Sequence, residues 1–189
     1  MSRSSRLGAL VAVLLVLTAL PSGPAQAAEI EDYAPYQPQT KCSPKAKPGT
    51  KVLLRYVVHH FGGAAGGISR PCSDASTSEH QEGRALDWTL DAEKKADRAR
   101  AQAFLDFIFA TDAAGDEDAR ARTMGIMYVI WDDHIYSSWR QFEPADYLSS
   151  SCKKVTKCSK TLRHRDHLHV SLTRQAGKGL TSWYATRLD

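Results

Sequence analysis

An α+β fold, with helices flanking a small central antiparallel sheet, is the class this sequence predicts, on three observations. Short apolar runs of strand length stand at 52–58, 84–90, 125–131 and 167–172. One long stretch, Ala92 to Ala110, repeats its apolar residues at helical spacing. Strands and helices do not alternate in the regular order that a parallel sheet would need.

The elements follow in chain order. Arg3 and Arg6 precede an apolar run from Leu7 to Leu20, and Ala25-Gln26-Ala27 follows a Pro/Ser/Gly stretch. That order predicts a secretory signal over 1–27, cut before Ala28. The apolar run is about 14 residues, against roughly 20 for a membrane span. The mature product is therefore expected to be secreted, extracellular or wall-associated, free of the membrane and monomeric. Residues 28–50 hold Pro35, Pro38, Pro44, Pro48 and Gly49 and read as an extended arm. Residues 51–189 then form one domain. VLLRYVV, 52–58, is β-branched and apolar and predicts a buried strand. The glycines of FGGAAGGIS, 61–69, predict a flexible loop or one that approaches a ligand closely. RALDWTL, 84–90, is a second strand, and Asp91 an N-cap for the helix from Ala92 to Ala110. Its buried stripe is expected to be Ala92, Ala96, Ala99, Ala103, Phe107 and Ala110, broadened by Phe104 and Ile108. A short helix covers 117–122 and a strand 125–131; Asp132-Asp133-His134 makes a turn into a returning strand at 135–139. A basic loop at 149–163 leads to HLHVSL, 167–172, a strand with alternating polar and apolar positions.

Composition narrows the function classes. Removing 1–27 takes away two arginines and no acid, so the formal charge falls from +4 to +2 over 162 residues. That is too mild for nucleic-acid binding on charge alone. Cys42, Cys72, Cys152 and Cys158 make an even count in an exported chain, which suggests two disulfides. Three pairings satisfy the count; the favoured one closes Cys152–Cys158 as a short loop and ties the arm down with Cys42–Cys72.

The chemistry concentrates in two motifs. SEHQEGRALD, 78–87, brackets Gly83 and Ala85 with His80 and Asp87. HRDHLH, 164–169, places His167 and His169 two apart, so on a strand both imidazoles project from one face. Together they supply more than the three protein ligands of a catalytic zinc site, and zinc accepts a mixed His/Asp set. Asp166 is the nearest carboxylate able to move a proton. Its odd offset from His169 requires the chain to bend at 166–167 if both serve one site. His164 is expected outside the ligand set, and His59 and His60 to be structural.

SEHQEGRALD fits S-x-H-x-x-G-x-A-x-D, and DHLH fits both [DE]-x-x-H and H-x-H. The chain thereby resembles the zinc peptidase superfamily named for lysostaphin, the D-Ala-D-Ala metallopeptidases and sonic hedgehog. It looks most like the VanY-like D-alanyl-D-alanine carboxypeptidase branch, in a form common among secreted actinobacterial cell-envelope domains. The resemblance implies a hedgehog/D-Ala-D-Ala-peptidase-like fold. It implies His80, Asp87 and His169 as zinc ligands, Asp166 as the acid/base and His167 as support for the reacting water or oxyanion. Arg70 and Ser78 would bind substrate. The tryptophan often found in [DE]-x-W-H is replaced by Leu168. The expected function is zinc-dependent hydrolysis of peptidoglycan stem or cross-bridge peptides, of D,D-carboxypeptidase or endopeptidase type. The rivals are a non-catalytic zinc-containing wall-binding module and a secreted metal-dependent nuclease.

Overall fold

The computed structural model describes residues 30–73 and 77–188, so the expected leader over 1–27 lies outside the described residues. Six strands form one antiparallel sheet: β1 (Ala64–Ala65), β2 (Ala85–Thr89), β3 (Ile126–Trp131), β4 (His134–Ser137), β5 (Pro144–Asp146) and β6 (His167–Leu172). Their spatial order is β1-β2-β6-β3-β4-β5. The last strand in sequence thus enters the middle of the sheet. The helices are α1 (Pro48–Phe61), α2 (Lys95–Ile108), α3 (Ala119–Thr123) and α4 (Arg174–Lys178). The class is α+β, as the sequence predicts.

Strand periodicity separates the two faces of the sheet. Leu86 and Trp88 of β2, Val129 and Trp131 of β3, and Leu168, Val170 and Leu172 of β6 join the core with residues of α1 and α2. The alternate positions of β6 (His167, His169 and Ser171) turn to the other face. A register shift between Ile126 and Tyr128 lets Ile126 and Val129 both enter the core despite their odd spacing. Leu168 is fully buried in that core and does not line a cleft.

The segment 52–58 is helical, not a strand. Pro48 stands in the first turn, where its missing N–H costs nothing. A strand would put Arg55 on the same face as Leu53 and Val57, which are buried. Helical steps turn Arg55 outward while Leu53, Leu54 and Val57 share one face. Three valines in seven residues suggest a strand, but tertiary burial decides against that propensity.

The second helix forms where expected, with a rotated buried face. Ala101, Phe104, Leu105 and Ile108 are buried, whereas Ala96, Ala99 and Ala103 face solvent. Burial stabilises in proportion to apolar area, so the larger side chains take the core. The helix also starts later: Lys94 is its N-cap, and the Asp91 carboxylate accepts from the Glu93 N–H instead (3.0 Å).

The chain from 30 to 47 is extended and lies against the domain. Ser43 N–H donates to the Gln81 carbonyl (2.6 Å) and Lys47 N–H to that of Gly83 (3.0 Å). Disulfides join Cys42 to Cys72 and Cys152 to Cys158, the pairing favoured from the sequence. The glycine-rich segment does not stay loose: Gly66 N–H donates to the Asp87 carbonyl and Asp87 N–H to the Gly67 carbonyl. A Cβ at Gly66 would stand 2.5 Å from the Asp87 carbonyl oxygen, so glycine permits this approach. Among the described residues no helix is long and apolar enough to cross a membrane. The two disulfides fit an extracellular protein.

Two substitutions check this packing. Leu168→Ala is expected to lower the unfolding free energy by about 2–5 kcal/mol in urea titrations. Ala99→Glu, on the face predicted to be buried but found exposed, is expected to change it by less than about 0.5 kcal/mol.

Candidate metal centre

The non-core face of the sheet carries the cluster. In the β2–β6 ladder Asp87 is the direct partner of His169, so their side chains stand side by side on one face. His80 reaches them from the turn Glu79–Glu82. Ser78 caps that turn by accepting from the His80 N–H (3.3 Å), and Gly83 closes it at φ +64. A Cβ at Gly83 would lie 2.2 Å from the Lys45 carbonyl oxygen, so glycine is required for the arm to pass there. The turn folds His80 back over Asp87.

Three ligand atoms converge. His80 Nε2 lies 3.2 Å from Asp87 Oδ1 and 3.2 Å from His169 Nδ1, and His169 Nδ1 lies 3.0 Å from Asp87 Oδ1. Tetrahedral ligands with bonds of about 2.0–2.2 Å are separated by about 3.3–3.6 Å. The triangle therefore needs to open by only a few tenths of an ångström to hold one ion.

Outer partners set both imidazole tautomers. His80 Nδ1 faces the Ile68 carbonyl at 2.9 Å, which only accepts, so Nδ1 carries the proton and Nε2 presents a lone pair. His169 Nε2 faces Ser171 Oγ at 2.9 Å, and Ser171 Oγ donates to Glu79 (3.5 Å). The serine therefore accepts from His169, leaving the lone pair on Nδ1. Tyr128 donates to the same Glu79 carboxylate (2.6 Å) and stacks its ring on His169 at 5.6 Å. The donor set, two imidazole lone pairs and one carboxylate, is the chemistry that borderline divalent cations such as zinc take. A His-Asp-His group able to bind a metal ion is thus present.

The electrostatics suit a cation. Burial opposes ionisation of Asp87, but the His169 and His80 imidazoles, when either carries its proton on the inward nitrogen, outweigh burial and hold the carboxyl far below its ordinary range. Burial pushes the His169 imidazole toward its neutral form, partly offset by Asp87. His164 is driven down to about 2, first by burial and then by the neighbouring imidazoles of His169 and His167.

The remaining predicted residues occupy the rim. His167 Nε2 is 3.7 Å from Asp87 Oδ1, and its Nδ1 donates to the Asp166 carboxylate at 2.7 Å. Thr161 donates to the other Asp166 oxygen at 2.5 Å. The chain bends at 165–166, before β6 begins. Asp166 thereby reaches the back of His167, not the three-atom cluster. Arg70 and Ser78 line the cleft above the cluster, a space of about 290 Å³ that also includes Tyr147, Ser149 and His164. His59 and His60 end α1, outside this cleft.

Sequence reasoning missed several supports. Ser171 was visible in principle, since it lies two residues after His169 on the same strand face. Glu79 and Tyr128 carry no spacing signal and meet only through the sheet. The Asp132-Asp133 turn is a type I′ hairpin turn, with φ of +46 and +67. It also anchors the second motif. Asp133 pairs bidentately with Arg163 (2.9 and 2.6 Å) and Asp132 with Arg165 (2.8 Å). The two aspartate N–H groups donate to the His164 and Arg163 carbonyls.

A model of the family described as VldE, C-terminal domain, matches residues 42–153. The match includes His80 and Asp87 and stops before 164–169. No curated protein and no solved structure matches the chain.

Calorimetric titration of the metal-free protein with zinc is expected to show one ion per chain. Asp87→Asn or His169→Ala abolishes the isotherm, and Ser171→Ala weakens it by about 10–100-fold. Zinc at a hundred times its dissociation constant adds about 2.7 kcal/mol to stability, which a chelator removes.

Proposed function

We propose that this chain, which belongs to the VldE C-terminal domain family, is an exported zinc-dependent hydrolase of peptidoglycan stem or cross-bridge peptides. The family description names no activity, so the reading rests on the site. The observation that carries it is the convergence of His80, Asp87 and His169 within 3.2 Å, with a third imidazole, that of His167, beside them.

His80, Asp87 and His169 would hold the ion. Bound zinc supplies Lewis acidity and lowers the pKa of a coordinated water toward neutrality. Proton transfer then falls to His167. Its Nδ1–H is committed to Asp166, so Nε2 bears the lone pair on the side of Asp87. Asp166 is a positioning residue in this arrangement: it fixes the tautomer and stabilises the imidazolium that forms, and Thr161 fixes Asp166. That differs from the direct acid/base role the resemblance implies for Asp166. The Arg70 guanidinium, at the cleft wall, suits a substrate carboxylate or carbonyl oxygen. Ser78 serves first as the cap that orients His80.

The test is digestion of purified muropeptides by the zinc-loaded mature protein, with product masses naming the bond. His167→Ala is expected to lower kcat by about 10²–10⁴-fold while zinc still binds. Asp166→Asn retains substrate binding but lowers kcat. No release by wild type carrying one zinc would reject the hydrolase and leave a zinc-containing wall-binding module.

A further inference from the structure

The chain's modest net charge hides a concentrated basic face away from the metal cleft. Lys45, Lys47, Lys51, Arg55 and Arg187 border a hollow of about 390 Å³ with no acidic side chain among the described residues of its wall. A second hollow of about 130 Å³ shares Lys47 and adds Lys41 and Lys178. Its one carboxylate, Glu82, is already engaged by Arg84 at 2.6 Å and Arg174 at 3.5 Å. Among the described residues, no carboxylate pairs with Lys41, Lys45, Lys47, Lys51, Arg55 or Lys178.

The placement works against the local structure. Lys47, the N-cap of α1, and Lys51 and Arg55 within it follow one another at four-residue steps along one flank, so Lys51 and Arg55 start from Cβ atoms about 6 Å apart. Like charges at that spacing repel. The first turn of α1 also carries no acid, although the helix dipole favours one there. A bound anionic chain with regularly repeated charges would offset both penalties.

We propose that this face binds a linear phosphodiester polymer that carries no bases. Five of these six cations are lysines, compact point charges that bind phosphate without the bidentate geometry a planar carboxylate gains from an arginine fork. Among the described residues no aromatic side chain lines either hollow, so stacked bases have no platform. Neither hollow shares a residue with the cleft at His80, Asp87 and His169. The docking is therefore independent of the metal and of hydrolysis.

The probe is poly(glycerol phosphate), titrated against the mature protein across a salt series. Binding is expected, with log K falling linearly with log salt concentration. Lys51→Glu/Arg55→Glu weakens it at least tenfold and flattens the salt slope, while Asp87→Asn leaves it unchanged. Lys51→Gln/Arg55→Gln gives a smaller loss in the same direction. Poly-L-glutamate and single-stranded DNA bind at least tenfold more weakly. The melting temperature of the charge-reversed variant in the absence of polymer is expected to equal or exceed that of wild type. Wild-type affinity in the charge-reversed variant would overturn the proposal. So would equal binding of polyglutamate or DNA, or a lowered melting temperature that assigns these side chains to the fold.

Discussion

The candidate metal centre depends on the register of β6 against β2. That ladder sets Asp87 opposite His169 across 82 residues of sequence. A slip by one residue would send His169 into the core and Leu168 or Val170 into the cleft. The register is held from the other side of the sheet, where Leu86, Trp88, Leu168, Val170 and Leu172 pack among the helices. The apolar face thus dictates the geometry of the polar one. Inserting β6 between β2 and β3 adds the second consequence, because β3 brings Tyr128 and Ile130 to the same face.

A cluster of buried polar groups is costly unless each has a partner. Here the partners also define what the cluster is. The Ile68 carbonyl and Ser171 take the outward protons of His80 and His169, so the inward nitrogens face one another as lone pairs. In the absence of a cation, such an arrangement brings acceptors together without protons enough to satisfy all contacts. Glu79 links the layers, accepting from Ser171 and Tyr128 on one side and lying 3.6 Å from the buried Arg84 on the other. Arg84 in turn donates to the Leu172 carbonyl and to Glu82, tying the His80 turn to the end of β6. Removing Arg84 would leave the buried Glu79 carboxylate without an opposite charge among the described residues.

The second motif is held by its surroundings, not by its own sequence. The hairpin turn after β3 uses two aspartates at positive φ, a conformation that aspartate tolerates better than most residues. Their carboxylates capture Arg163 and Arg165, and their N–H groups take carbonyls of the same segment. The bend before β6 follows, and with it the contact of Asp166 with the back of His167. One side of the molecule thus collects imidazoles around a carboxylate. The flank of α1 collects uncompensated cations.

Much of the architecture was legible in the residues alone. The α+β class, the strands at 85–89, 126–131 and 167–172 and a helix within 92–110 follow from local patterns, and the cysteine pairing is the one favoured among the three that the sequence leaves open. So does the shared face of His167 and His169, since a two-residue period is a local property. The helix at 48–61 was hidden by its valines, and the buried side of α2 by its alanines, because propensity and spacing do not weigh side chains by the area they bury. The convergence of His80, Asp87 and His169 could be expected from motif likeness, but its distances could not. Whether Asp166 faces the cluster of His80, Asp87 and His169 or the back of His167, and that Glu79, Tyr128 and Ser171 stand behind that cluster, was decided by tertiary structure. Those relations depend on strand order, on a bend and on a bulge, which are set by long-range packing and leave no periodic trace in the chain.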